Sequence, residues 1–208
     1  MTTTTKAVIR TGRKFEQVLQ GARQVFMTDG FEGASVDDIA KVAGVSKATL
    51  YSYFPDKRLL FMEVARCECD RQADEALDLA DFNAPPRKIL HLAGQKMIEI
   101  LISEFSQRIF RICVGESERF PELGREFYQT GPMMGRQRLG DYLRGSCARG
   151  ELRIEDFDLA ADQFIELCKV DIFPRLIFGI DTEFSKDEID RVVDGAVDMF
   201  MARYGAEA

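Results

Sequence analysis

The chain has 208 residues, 46% of them apolar and 30% charged, with only 6 prolines. That balance excludes a disordered chain, and without an apolar run approaching the ~20 residues that span a bilayer it excludes a membrane-embedded one. The net charge of -7 argues at first against nucleic acid, yet it is polarised, with +3 on residues 1–60 and -10 on the remainder.

Residues 1–12 read as a flexible basic arm. Lys6 and Arg10 precede Arg13 and Lys14 at the start of the first helix, where an arm can reach phosphates or a minor groove; a solvated basic tail is the equal alternative. The segment MTTTTKAVIR has no apolar signal core, so a cytoplasmic protein is expected. Phe15, Val18, Leu19, Ala22, Val25 and Phe26 recur at helical spacing and predict a first helix over 13–29, ended at Gly30. Its one apolar stripe needs a partner.

The stretch SVDDIAKVAGVSKATLYSYFPDK, residues 35–57, supplies that partner as two short helices joined by a tight turn at Gly44. Ser35 caps the first, answered by Asp38, and Ile39, Ala40 and Ala43 form its inner face. Ser46 caps the second, whose inner residues are Leu50 and Phe54. Lys47, Ala48, Thr49, Tyr51, Ser52 and Tyr53 share its outer surface, too aromatic for a face that merely meets water. Hydroxyls and lysine suit phosphates and base edges, and a tyrosine ring can lie against a thymine methyl.

These residues resemble the DNA-binding domain of the TetR family of bacterial transcriptional regulators. The likeness rests on the acidic helix Asp37–Val42, on AGVS at Ala43–Ser46, on T-x-Y-x-Y-F at Thr49–Phe54 and on Lys57, and it covers roughly residues 13 to 62. Ala48 stands where that family often has glycine, which bears on base preference. The resemblance implies that Lys47, Thr49 and Tyr51 face base edges, with Ala48 and Ser52 on the same surface, while Ser35, Tyr53 and Lys57 hold the backbone.

A further helix begins after Pro55, capped by Asp56, and connects the two parts over residues 57–80. DFNAPPRK, residues 81–88, ends it, because Pro85 and Pro86 prevent continuation. The organisation expected is therefore an arm (1–12), a three-helix DNA-binding domain (13–56), a connecting helix (57–80) and a larger helical domain (81–208). Within the last, helices are predicted over 87–103, 105–115, 121–149, 156–179 and 185–204, with Pro132 kinking or splitting the third. The fold class is all-α.

Met97, Leu101, Phe105, Ile109, Ile112, Phe127, Met134 and Phe173 form a stretch rich in flexible and aromatic residues, a pattern more often core than cavity. The family places its ligand pocket between these helices, which implies a small apolar or amphiphilic effector; residues 111–128 are also weakly similar to regulators of multidrug-efflux genes. Ile189, Val193, Ala196, Val197 and Phe200 make a broad stripe on the last helix, and Phe164 and Leu167 lie on the one before. Both stripes suit an intramolecular core, whereas the resemblance implies a homodimeric four-helix bundle, as a reader of palindromes requires.

No cofactor or metal is expected. Cys67, Cys69, Cys113, Cys147 and Cys168 contain no C-x-x-C pair, and His91 is the only histidine. Without a Gly-rich loop or G-x-S-x-G, and with Glu116 and Glu118 read as helix caps, nothing supports an enzyme. The function expected is a ligand-responsive regulator, most simply a repressor, that binds palindromic double-stranded operator DNA. The rival is an architectural or cell-division factor on the same fold without effector control.

Overall fold

The computed structural model of the protein describes residues 12–78 and 84–206. The expected arm, apart from Gly12, lies outside them, as do the end of the expected connecting helix (79–80) and the start of the expected boundary (81–83). The described residues hold eleven α-helices and no strand; one antiparallel bridge pairs Leu152 with Gly205.

Helix α1 (Arg13–Gly33) buries Phe15, Val18, Ala22, Val25 and Phe26 as its spacing predicts. It does not stop at Gly30. That glycine takes φ 70 and ψ -179, a conformation closed to side-chain-bearing residues, and the chain makes one more turn beyond the kink. Helix α2 (Val36–Ala43) starts where the Ser35 hydroxyl accepts from the Asp38 N–H at 3.0 Å and stops at Gly44, left-handed at φ 64. Helix α3 (Lys47–Tyr53) starts where the Ser46 hydroxyl accepts from the Thr49 N–H at 3.1 Å. Leu50 plugs it against the other two.

Helix α4 (Lys57–Asp78) begins at Asp56, whose carboxylate accepts from the Arg58 N–H at 2.7 Å. Arg58 also holds the Asp56 carboxyl below its ordinary pKa by side-chain hydrogen bonds. The larger part comprises α5 (Pro86–Ile102), α6 (Glu104–Glu116), α7 (Pro121–Thr130), α8 (Pro132–Ala148), α9 (Phe157–Lys169), α10 (Ile172–Ile177) and α11 (Lys186–Tyr204). Pro132 splits the expected 121–149 helix outright, standing at the first position of α8. The expected 156–179 helix is also two, because Val170 turns extended and Asp171 takes a positive φ of 69. Arg191 donates to the Asp171 carboxylate at 2.9 Å and helps hold that break.

Two apolar cores result. The second lies between α5, α8, α9 and α11. The first is not confined to the DNA-binding helices: it joins α1–α4 to Ile109 and Cys113 of α6 and Leu123 of α7. Phe61 of α4 sits at its centre, with ring centroids 4.9 Å from Phe31 and 5.5 Å from Phe105. Arg108 of α6 reaches α1, its guanidinium lying where a Cβ on Gly30 would be.

Candidate DNA-reading surface and effector cavity

The helix pair α2–α3 is set by close contact with α1. A Cβ on Gly21 would come within 2.7 Å of the Ala43 backbone nitrogen, so the two helices cross at glycine on one side and alanine on the other. The sequence signal for that crossing lay in Gly21 inside an otherwise uninterrupted helical pattern. On the opposite side of α3, Lys47, Ala48, Tyr51 and Ser52 are exposed, Tyr51 to 48%. Lys47 forms an ion pair with Asp37 of α2.

The remaining expected contacts are more constrained. Thr49 is half-buried and shares a 2.8 Å hydrogen bond with the Ser46 hydroxyl, while Ser52 donates to the Thr49 carbonyl at 2.6 Å. Tyr53 turns its ring edge-on to Phe15 at 5.7 Å. The Ser35 hydroxyl is spent on capping α2. Lys57 is the most constrained of them. Its ammonium donates to the carbonyls of Phe31 (2.9 Å) and Ala34 (3.0 Å) and lies 4.5 Å above the Phe31 ring, so two of its three protons are directed into the protein rather than toward a phosphate. The α1 kink presents those carbonyls, which sequence spacing did not reveal.

Between α4–α10 lies a cavity of ≈ 520 Å³, within the range of small-molecule sites. Met97, Leu101, Ile109, Phe127, Met134 and Phe173 line it as expected. Phe105 and Ile112 do not; they pack on the first core beside Ile109, Phe105 against Phe61. Helix α4 contributes Met62, Ala65 and Arg66 to the wall, and Met62 is also part of the first core. At the edge, Arg136 donates to Asp162 from Nε and Nη2, both at 2.7 Å, and from Nη2 to the Tyr128 hydroxyl at 2.9 Å. The Asp162 hydrogen bond raises the Arg136 pKa further. These polar residues come from α7, α8 and α9, and no spacing within one helix announced them.

A protein-family model for the C-terminal domain of AefR-like transcriptional repressors matches residues 88–206, and one for the bacterial regulatory proteins of the tetR family matches residues 18–64. The chain belongs to the TetR family. Among solved structures, a TetR-family regulator from Mesorhizobium loti MAFF303099 is 28% identical, with 93% of this chain and 97% of that chain covered and a TM-score of 0.81. The flavonoid-responsive regulator FrrA is 32% identical over 95% of this chain and 100% of its own, with a TM-score of 0.73. The repressor AcnR of Corynebacterium efficiens is 36% identical over 59 residues, 28% of this chain and 31% of AcnR. RutR of Escherichia coli K12 is 39% identical over 64 residues, 31% of this chain and 30% of RutR. The chain thus spans about a third of the curated relatives it matches. The family and these relatives are transcriptional regulators, not enzymes.

Most residues expected at the dimer interface face inward. Phe164, Val193, Ala196, Val197 and Phe200 are buried inside one protomer, in the second core. The stripe of α11 is broad because that helix packs on both α5 and α9: Gly94 of α5 faces Val193, and Phe164 of α9 meets Phe200 edge-to-face at 5.5 Å. Leu167 and Ile189 are half-buried beside the same core. The outward apolar residues of these helices and the turn after α9 are Leu159, Val170 and Met199, the last 62% exposed. Burial also pushes the thiols of Cys113 and Cys168 up to about 11 and about 12, which removes them as reactive cysteines. Among the described residues, no helix is long and apolar enough to cross a membrane.

Proposed function

We propose that this TetR-family regulator is a repressor that binds palindromic operator DNA as a homodimer and is released when a small, largely apolar effector enters the cavity. The observation that carries the reading is the α4 wall. Met62, Ala65 and Arg66 line the cavity on the helix that starts directly after α3, with only Phe54–Asp56 between them. A ligand that moves α4 therefore moves the reading surface. The name repressor borne by AcnR and the flavonoid response in the name of FrrA support regulation by release.

Lys47, Thr49 and Tyr51 take the base edges, with Ala48 and Ser52 on the same face and Ser35 and Tyr53 beside the backbone; Lys57 serves instead by holding the end of α1 to α4. The second protomer docks on the outward faces of α9 and α11, around Leu159, Val170 and Met199, with the buried stripe behind them as support. Footprinting on DNA flanking the protein's own gene is the test. A two-fold symmetric footprint that a cavity-binding compound dissolves supports the proposal. A footprint that every such compound leaves intact would identify a DNA-binding factor without effector control.

A further inference from the structure

Each charged side chain along the cavity, Arg138 included, is already engaged with another group. Arg136 holds Asp162 through two hydrogen bonds, Lys169 pairs with Glu166 at 2.5 Å, and Arg66 pairs with Glu63, a residue only 5% exposed, at 2.7 Å. An ionised ligand entering this space would lose its hydration and would have to displace a carboxylate or a cation already engaged, which a largely apolar wall does not compensate. A neutral ligand meets no such cost.

The apolar wall has a distinct character. Phe110 of α6 is met edge-to-face by Phe127 of α7 at 6.0 Å and by Phe173 of α10 at 5.5 Å, so ring faces and edges are presented from three helices. Beside them Met62, Met97 and Met134 supply adaptable, polarisable sulfur that packs well on ring edges. Such a wall favours an aromatic body over a plain alkyl chain.

The polar edge then reads one group. Both Asp162 oxygens accept from Arg136 but retain lone pairs, and the Tyr128 hydroxyl, which accepts from Arg136, still has its own proton to give. A hydroxyl on the ligand completes this arrangement, donating to Asp162 and accepting from Tyr128.

We infer that the effector is an uncharged aromatic hydroxyl compound, a phenol in the broad sense, whose ring lies among Phe110, Phe127 and Phe173 and whose hydroxyl bridges Asp162 and Tyr128. The inference rests on the cavity being the effector site. Calorimetry on the full chain without DNA tests it at neutral pH with para-phenylphenol, biphenyl, biphenyl-para-carboxylate and decanoate.

The phenol should bind at least about ten-fold more tightly than the other three, as expected when a charge-assisted hydrogen bond is gained. Tyr128→Phe and Asp162→Asn, at residues partly open to solvent, should each weaken the phenol about ten-fold and leave biphenyl unchanged. Tighter binding of either carboxylate, no binding by any probe, or equal weakening of phenol and biphenyl in both variants would each overturn the inference. A mobility-shift assay on the same protein separates the two readings: a phenol that binds as described without releasing operator DNA contradicts effector control, not the chemical class of the ligand.

Discussion

Two single residues show how differently positions in the three N-terminal helices can fail. Tyr51 is exposed and contributes nothing to the core, so Tyr51→Ala should keep the thermal stability while costing about 1 to 3 kcal/mol of operator affinity and little on random DNA. Competition binding with both DNAs checks this, and an equal loss on each would reassign Tyr51 to the backbone. Gly21 touches no DNA. A methyl there meets Ala43 at 2.7 Å from its Cβ and 2.8 Å from its Cα, both fixed by the α2 backbone, so Gly21→Ala should cost about 1 to 3 kcal/mol of stability, read in urea unfolding. The outward placement of Tyr51 was legible because residue type and helical face suffice to place an exposed ring. The placement of the Lys57 ammonium was not, since its partners are carbonyls more than twenty residues away that the α1 kink turns toward it.

At the scale of elements, existence was legible and termination was less so. The caps at Ser35, Ser46 and Ser185 and the proline at the head of α8 are local chemistry, and each starts a helix where the pattern put it. The break at Val170–Asp171 is not purely local, since Arg191, far along the chain on α11, pairs with Asp171. The apolar stripe of α11 was ambiguous for a related reason: periodicity shows that a face is buried, not what buries it. The expected consequence separates two substitutions on the same helix. Val193→Asp places a charge at a fully buried site against Gly94 and should unfold the C-terminal core, losing helicity at moderate temperature. Met199→Asp should keep native helicity and dissociate the dimer in sedimentation at micromolar concentration. An intact dimer of folded Met199→Asp would remove this face of α11 from the interface.

Across the whole molecule, the cavity and the DNA-binding helices are joined through more than the connecting helix, which bears on the proposed release of operator by effector. The cavity touches α4 at Met62, and α6 meets α4 again through Phe105 on Phe61 while reaching α1 directly through Arg108 over Gly30. Two such routes imply one coupling free energy of roughly 1 to 3 kcal/mol, a factor of about 5 to 150, felt equally by both ligands. Saturating operator should therefore weaken effector binding by the same factor by which effector weakens operator binding, measured by calorimetry at matched salt; an effector affinity indifferent to operator would point to competition at the DNA surface. The cavity as a whole was only partly legible, because six of its expected residues share helix faces with it but its polar edge is assembled from three helices. The placement of Phe61 also limits how this regulator can be recombined. A hybrid that transplanted only α1–α3 would strand Phe26 and Phe31 without Phe61, and one cut after α4 would leave Phe61 without Phe105. The exchangeable unit is thus larger than the segment that reads DNA, and a new sensor can be grafted onto this reader only if it brings an aromatic ring to the place of Phe105.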